Sequence, residues 1–162
     1  MTSRVFPFSP RSATSLAVGD LVPVQGSSGN WACLQIVELR PRVRKTFIAA
    51  LLPWRGSSPP SVDTVAGLVP LERALNRMDI FTEGHLQVIG NAKPNDEGQE
   101  CWYDPGYVGK ITVVWGWKAA LRIARENADG LRYILDPGDP TDPAVAWLAS
   151  ESALSPGHPR AK

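Results

Sequence analysis

The run from Trp31 to Leu39 constrains this chain more than any other stretch, because its alternation leaves no polar side. Trp31, Cys33, Gln35 and Val37 fall on one face, and Ala32, Leu34, Ile36 and Glu38 on the other. Successive side chains of a strand point to opposite faces, so a strand apolar on both must lie between neighbours inside a sheet. Just before it, Leu21, Val22 and Val24 form a short β-prone run, in which Pro23 favours an edge position because it has no N–H to give a ladder. Gly26 to Asn30 supply the turn between the two. After "RPRVRK" (40–45), whose charges suit an exposed bend, "TFIAALLPW" (46–54) reads as a third strand ending at Pro53. The three form a meander, with Trp31 expected to plug the core.

With 14 Gly and 15 Pro among 162 residues, long helices cannot dominate the rest of the chain. Residues 55–68 form a Pro/Gly/Ser loop. Leu71, Ala74, Leu75 and Met78 recur at helical spacing and predict a short helix. "DIFTEGHLQVIGN" (79–91) reads as a hairpin turning at Glu83 and Gly84. Residues 92–109 form a long excursion mixing turn formers with acidic and aromatic side chains, and "KITVVWGW" (110–117) returns to a strand. "KAALRIARENADG" (118–130) predicts a helix burying Ala120, Leu121, Ala124 and Asn127 or Ala128, closed by Gly130. A last strand over 131–137 and a short helix capped by Asp142 with Pro143 at its first position complete the expectation.

The fold class expected is α+β: a strongly bent antiparallel sheet, or an SH3-like partial barrel, with two or three short covering helices. Residues 1–15, rich in Ser, Pro and Arg, are expected to form a flexible arm, 16–154 a single globular domain, and 155–162 a frayed tail.

Several function classes find little support. The net charge of +1, from 17 basic and 16 acidic side chains, lacks the basic excess of a phosphate-backbone binder, so nucleic acid is not the partner expected. Cys33 and Cys101 are far apart with no CxxC spacing, which favours inert thiols in a reducing compartment over a redox pair. No signal-peptide core or membrane-length apolar run occurs, so the expected location is the cytoplasm and no membrane partner is expected.

Triad chemistry needs a base, and only His85 and His158 are present, the first in a predicted hairpin strand and the second in a Pro-flanked tail. Neither His nor Cys is paired at metal-ligand spacing, so neither a metal nor another cofactor is expected. Glu97, Glu100 and Asp104 permit a carboxylate pair, although a solvated acidic loop is the simpler reading. "GYVGK" (106–110) precedes a strand rather than a helix and so does not form a phosphate loop. No catalytic residue is nominated. What remains is recognition chemistry: Trp54 and Arg55 beside one loop, and Glu97, Glu100, Trp102, Tyr103, Asp104 and Tyr107 in another, are residue types suited to a partner-binding surface.

The stretch "VGDLVPVQGSSGNWACLQIVE" (18–38), with its Gly-Asp step, short β run, Gly turn with an aromatic and second β run, resembles the bacterial polymorphic-toxin immunity proteins, in particular immunity family twenty-six. "DIFTEGHLQVIGNAKP" (79–94) is similar to that family's closing element, a Gly-bearing turn and a strand ending in Ile-Gly with a nearby Pro. Together with the segment between them these cover about half of the chain. The resemblance implies a small β-rich inhibitor without catalytic residues, working in the cytoplasm beside a cognate toxin that it occludes. The alternative is a nucleic-acid or peptide-binding module on an SH3-like barrel.

Overall fold

The computed structural model describes residues 4–95, 113–133 and 135. Strand β1 (Asp20–Gln25) turns through Gly26–Asn30 into β2 (Trp31–Glu38), with Gln25 opposite Trp31 and Leu21 opposite Gln35. The Gly26 N–H donates to the Asn30 carbonyl at 2.8 Å, and Gly29 takes φ 88°, a conformation open to glycine without strain. Strand β3 (Thr46–Gly56) pairs antiparallel with the other side of β2. It runs through Pro53 rather than stopping there, because the register shifts between Ala32 and Leu34 and Pro53 falls in the irregularity, where no ladder N–H is needed.

Beyond β3, the four-residue helix α1 (Val62–Val65) starts on a Ser61 cap, whose hydroxyl accepts from the Thr64 N–H at 3.4 Å. Strand β4 (Glu72–Arg77) follows, then α2 (Asp79–Thr82), the two-residue strand β5 (Gly90–Asn91), and α3 (Trp117–Ala128). The sheet is open and antiparallel, in the order β4-β3-β2-β1-β5, and with three α-helices among the described residues the architecture is α+β.

Both faces of the central strands are buried. Val22, Val24, Ala32, Leu34, Ile36, Phe47, Ala49 and Leu51 point into the larger core with α3, and Ile80 and Phe81 of α2 join them. The Phe47 and Phe81 rings lie 5.7 Å apart, tilted. Leu21, Cys33 and Leu52 point the opposite way, under Val65 and Ala92 with Trp54, Leu68 and Ile89 against them. On that face the buried Gln35 donates through Nε2 to the Ala92 carbonyl at 2.8 Å. Burial pushes the Cys33 thiol up to about 12, so it stays protonated and behaves as a small apolar side chain.

Four expectations are corrected. The helix expected at Leu71, Ala74, Leu75 and Met78 is β4: the same residues carry a two-residue alternation in which Ala74, Asn76 and Met78 are buried, and six residues pair with the free edge of β3. The hairpin expected around Glu83 and Gly84 is α2 and its turn, burying Ile80 and Phe81, with β5 beginning only at Gly90. The return strand over 110–117 reduces, among the described residues, to an isolated bridge of Val114 with Leu75, because α3 already starts at Trp117. In the last strand expected over 131–137, Leu131 to Tyr133 carry none, and residues 134, 136 and 137, like the helix expected after Pro143, lie outside the described residues.

Residues 4–15 are also more than a loose arm. Phe8 forms a two-bond bridge with Val88, and the Ala13 N–H donates to the Arg44 carbonyl at 2.8 Å. The Arg4 guanidinium forks onto the carboxylate of Asp20 at 2.5 and 2.7 Å and lies over the rings of Phe6 and Phe8. Asp20 is fully buried, and the Ala17 N–H and Asn91 Nδ2 complete its set of donors at 2.9 and 3.0 Å. A buried carboxylate requires such a set, and among the described residues the arm supplies its cation.

Arg4→Ala is therefore expected to cost about 2 kcal/mol in urea unfolding, the value of a hydrogen-bonded charge lost from a buried partner. A loss within about 0.5 kcal/mol, the range of ordinary surface substitutions, would contradict the anchored arm.

Candidate functional site

Helix α3 buries Ala120, Leu121, Ile123, Ala124, Asn127 and Ala128 on the sheet. That stripe leaves Lys118, Arg122 and Arg125 exposed, and their spacing of four and three residues puts them in one row on the outer face. Trp117 at the start of the row is half-buried, with the Lys118 ammonium 5.4 Å from its ring centre. Leu131, just past the helix, is exposed. With Ser27 of the β1–β2 turn and Glu83 after α2, these residues line an open groove of about 690 Å³.

Two sets of polar bonds clasp the C-terminal end of the helix that lines the groove. Asp129 accepts from the N–H groups of Ser27 at 3.1 Å and Ser28 at 2.9 Å, and from the Ser28 hydroxyl at 2.5 Å, which ties the hairpin tip to the end of α3. Burial works to raise the pKa of Asp129, but the Ser28 hydroxyl, the two N–H groups and the charge of Arg125 outweigh it and hold the carboxyl below its ordinary value. Gly26 fits this clasp because a Cβ there would come within 2.2 Å of Asp129 Oδ1. Beyond Gly130, whose φ of 73° ends the helix, Arg132 forks onto Glu72 at 3.0 and 3.2 Å and reaches Glu126 at 3.2 Å. The Tyr133 hydroxyl also donates to Glu72. Burial alone would raise Glu72, yet the bonds from Arg132 and Tyr133 bring it below its usual value, while burial and the bond to Glu72 raise Tyr133.

Trp54 and Arg55, expected at a partner surface, are half-buried and engaged internally. The Trp54 ring packs on the Leu21, Cys33 and Leu52 face, and its carbonyl accepts from Asn127 Nδ2 at 3.1 Å. Arg55 Nη2 donates to the Tyr133 carbonyl. Trp31, expected as a core plug, is only half-buried at the open end of β2, whereas Trp115 is buried in the larger core. Glu97, Glu100, Trp102, Tyr103, Asp104 and Tyr107 lie outside the described residues, as do Cys101 and His158. His85 is exposed in the turn after α2, at φ 57°.

Among the described residues no three His, Cys, Asp or Glu side chains gather as metal ligands, and no helix is long and apolar enough to cross a membrane. The Lys118, Arg122 and Arg125 row was accessible from sequence as the complement of the buried α3 stripe; its enclosure by the distant Ser27 and Glu83 was not. No family model, curated protein or solved structure matches the chain.

The lowered pKa of Asp129 has a definite sign. Its stabilising share is complete above the ordinary carboxylate range and is lost as pH falls through the depressed folded-state value. Asp129→Ala should therefore melt below the parent at pH 7, and the gap should close as both are taken to acidic pH. A gap independent of pH, followed by thermal unfolding in a pH series, would contradict the clasp.

Proposed function

We propose that this chain is an inhibitor of the immunity type, which binds a cognate toxin and neutralises it by occlusion without making or breaking bonds itself. The observation that carries the reading is the outer face of α3. There Trp117 and Leu131 stand among Lys118, Arg122 and Arg125, with Glu83, Glu126 and Asp129 close by. Tryptophan and arginine dominate the energetics of protein interfaces, and here they stand on a helix whose C-terminal end is tied down by Asp129 and Arg132. The resemblance of residues 18–94 to immunity family twenty-six supports the same reading. By residue type, Glu97, Glu100, Trp102, Tyr103, Asp104 and Tyr107 are further candidates for the contact.

A cytoplasmic inhibitor expressed beside its toxin is tested by co-expression with the toxin-like product of a neighbouring gene. The parent chain is expected to restore growth and to be recovered in a pull-down; Trp117→Ala with Arg122→Ala is expected to weaken binding roughly a hundredfold, as hot-spot truncations do. Absence of both rescue and binding overturns the proposal. Because cations and carboxylates are balanced on this face, the association rate should fall less than about tenfold between low and moderate salt.

The second reading, a peptide or nucleic-acid module on an SH3-like partial barrel, rests on the hairpin-rich β order. It is separated from the first by a mobility-shift titration with single- and double-stranded oligonucleotides, in which the inhibitor reading expects no shift.

A further inference from the structure

A second groove lies where residues 11–14, the exposed bend at 40–45 and the junction of β4 with α2 converge. The "RPRVRK" bend looks from sequence like a solubilising charge run, but the fold brings Arg44 and Lys45 of that bend together with Arg11 of the N-terminal segment and Arg77 at the end of β4. Main-chain bonds fix this arrangement. The Ala13 N–H donates to the Arg44 carbonyl at 2.8 Å and the Met78 N–H to the Lys45 carbonyl at 2.9 Å, so both walls are stapled to the Arg44–Lys45 floor. The Ser12 hydroxyl caps the Ala13–Ser15 turn, 3.3 Å from the Thr14 N–H.

The result is an open hollow of about 670 Å³, with the hydroxyls of Ser12, Thr14 and Thr82 among its lining groups. Its four cations face one carboxylate, Asp79, which stands 3.6 Å from Arg77 Nε in an exposed pair. Among the described residues no carboxylate pairs with Arg11, Arg44 or Lys45. In a chain whose net charge is only +1, this local excess of three positive charges is concentrated in one concavity, where an anion relieves the mutual repulsion.

The ligand class follows from the groups. Three of the four cations are guanidinium forks, which match the oxygens of a phosphoryl group in pairs, and hydroxyls add donors of the same reach. The volume is that of a small-molecule site, and the charges converge on one hollow instead of tracking along a strand, as a polynucleotide backbone requires. We propose that this groove binds a small ligand carrying two or more linked phosphoryl groups, held by Arg11, Arg44, Lys45 and Arg77. This site is distinct from the α3 face, and its test needs no toxin.

The test is calorimetric titration of the full chain with inorganic tripolyphosphate, adenosine triphosphate, citrate and a single-stranded oligonucleotide. Tripolyphosphate is expected to saturate one site, with citrate, which offers charge without phosphoryl geometry, at least about tenfold weaker. Arg44→Gln with Lys45→Gln removes charge and leaves the main-chain staples in place; it should weaken tripolyphosphate roughly tenfold or more, while Lys93→Gln, outside the groove, leaves it unchanged. The unliganded double variant should melt no lower than the parent, because like-charge repulsion has been removed. Arg11→Gln provides a second, independent loss. Adenosine triphosphate binding more tightly than tripolyphosphate assigns the phosphoryl groups to a nucleotide, and equal binding assigns the site to the oligophosphate alone. The proposal is overturned by no saturable binding, by citrate equal to tripolyphosphate, by binding undiminished in both variants, or by an oligonucleotide that binds more tightly than either phosphate.

Discussion

Strands β2 and β3 bury both of their faces, and the rest of the molecule is arranged to cover them. Ala32, Leu34 and Ile36 of β2, with Phe47, Ala49 and Leu51 of β3, require α3 and α2 on one side. Cys33 and Leu52 require α1, Ala92 and the Trp54 ring on the other. Each apolar side chain withdrawn in this way is worth about 1.5–3 kcal/mol relative to exposure, so neither cover can be given up cheaply. Polar links hold the covers in register: Asp20 fixes the N-terminal segment to β1 and β5, Asp129 fixes the hairpin tip to α3, and Arg132 with Tyr133 fixes the chain after α3 to Glu72 of β4.

A sheet enclosed in this way keeps its own faces out of contact with ligands. Recognition is left to the outer surfaces of the covering elements and to the places where they meet. The α3 face offers an aromatic and arginine surface with nearly balanced charge, the chemistry proposed for capturing a protein. The hollow between the N-terminal segment, the 40–45 bend and the β4–α2 junction offers concentrated positive charge, the chemistry proposed for phosphoryl groups. The two differ in what salt should do to them, because opposed charges dominate only the second.

The elements legible in the sequence were those whose pattern admits one reading. The β1–β2 hairpin has a glycine turn between two β-prone runs, and α3 carries an apolar stripe at helical spacing closed by Gly130. Leu71 to Met78 satisfy both a helical and an alternating pattern, and the free edge of β3 decides between them, a partner no local window contains. The N-terminal segment looks too polar to dock, yet Arg4 is the counter-ion of a buried carboxylate sixteen residues away. The candidate sites were less legible for the same reason. Trp54 and Arg55 have interface chemistry but are engaged with Asn127 and Tyr133, more than seventy residues on. The phosphoryl groove gathers cations from three separate segments, each of which alone resembles an ordinary solvated charge.

The dependence of the whole on the doubly buried pair is tested most directly by native-state hydrogen exchange followed residue by residue. The amides of Leu34 to Ile36 and Ile48 to Leu51, paired within the sheet and covered on both sides, are expected to exchange last and only through global unfolding. Slowest exchange in α3, with β2 and β3 opening beneath it, would contradict that dependence.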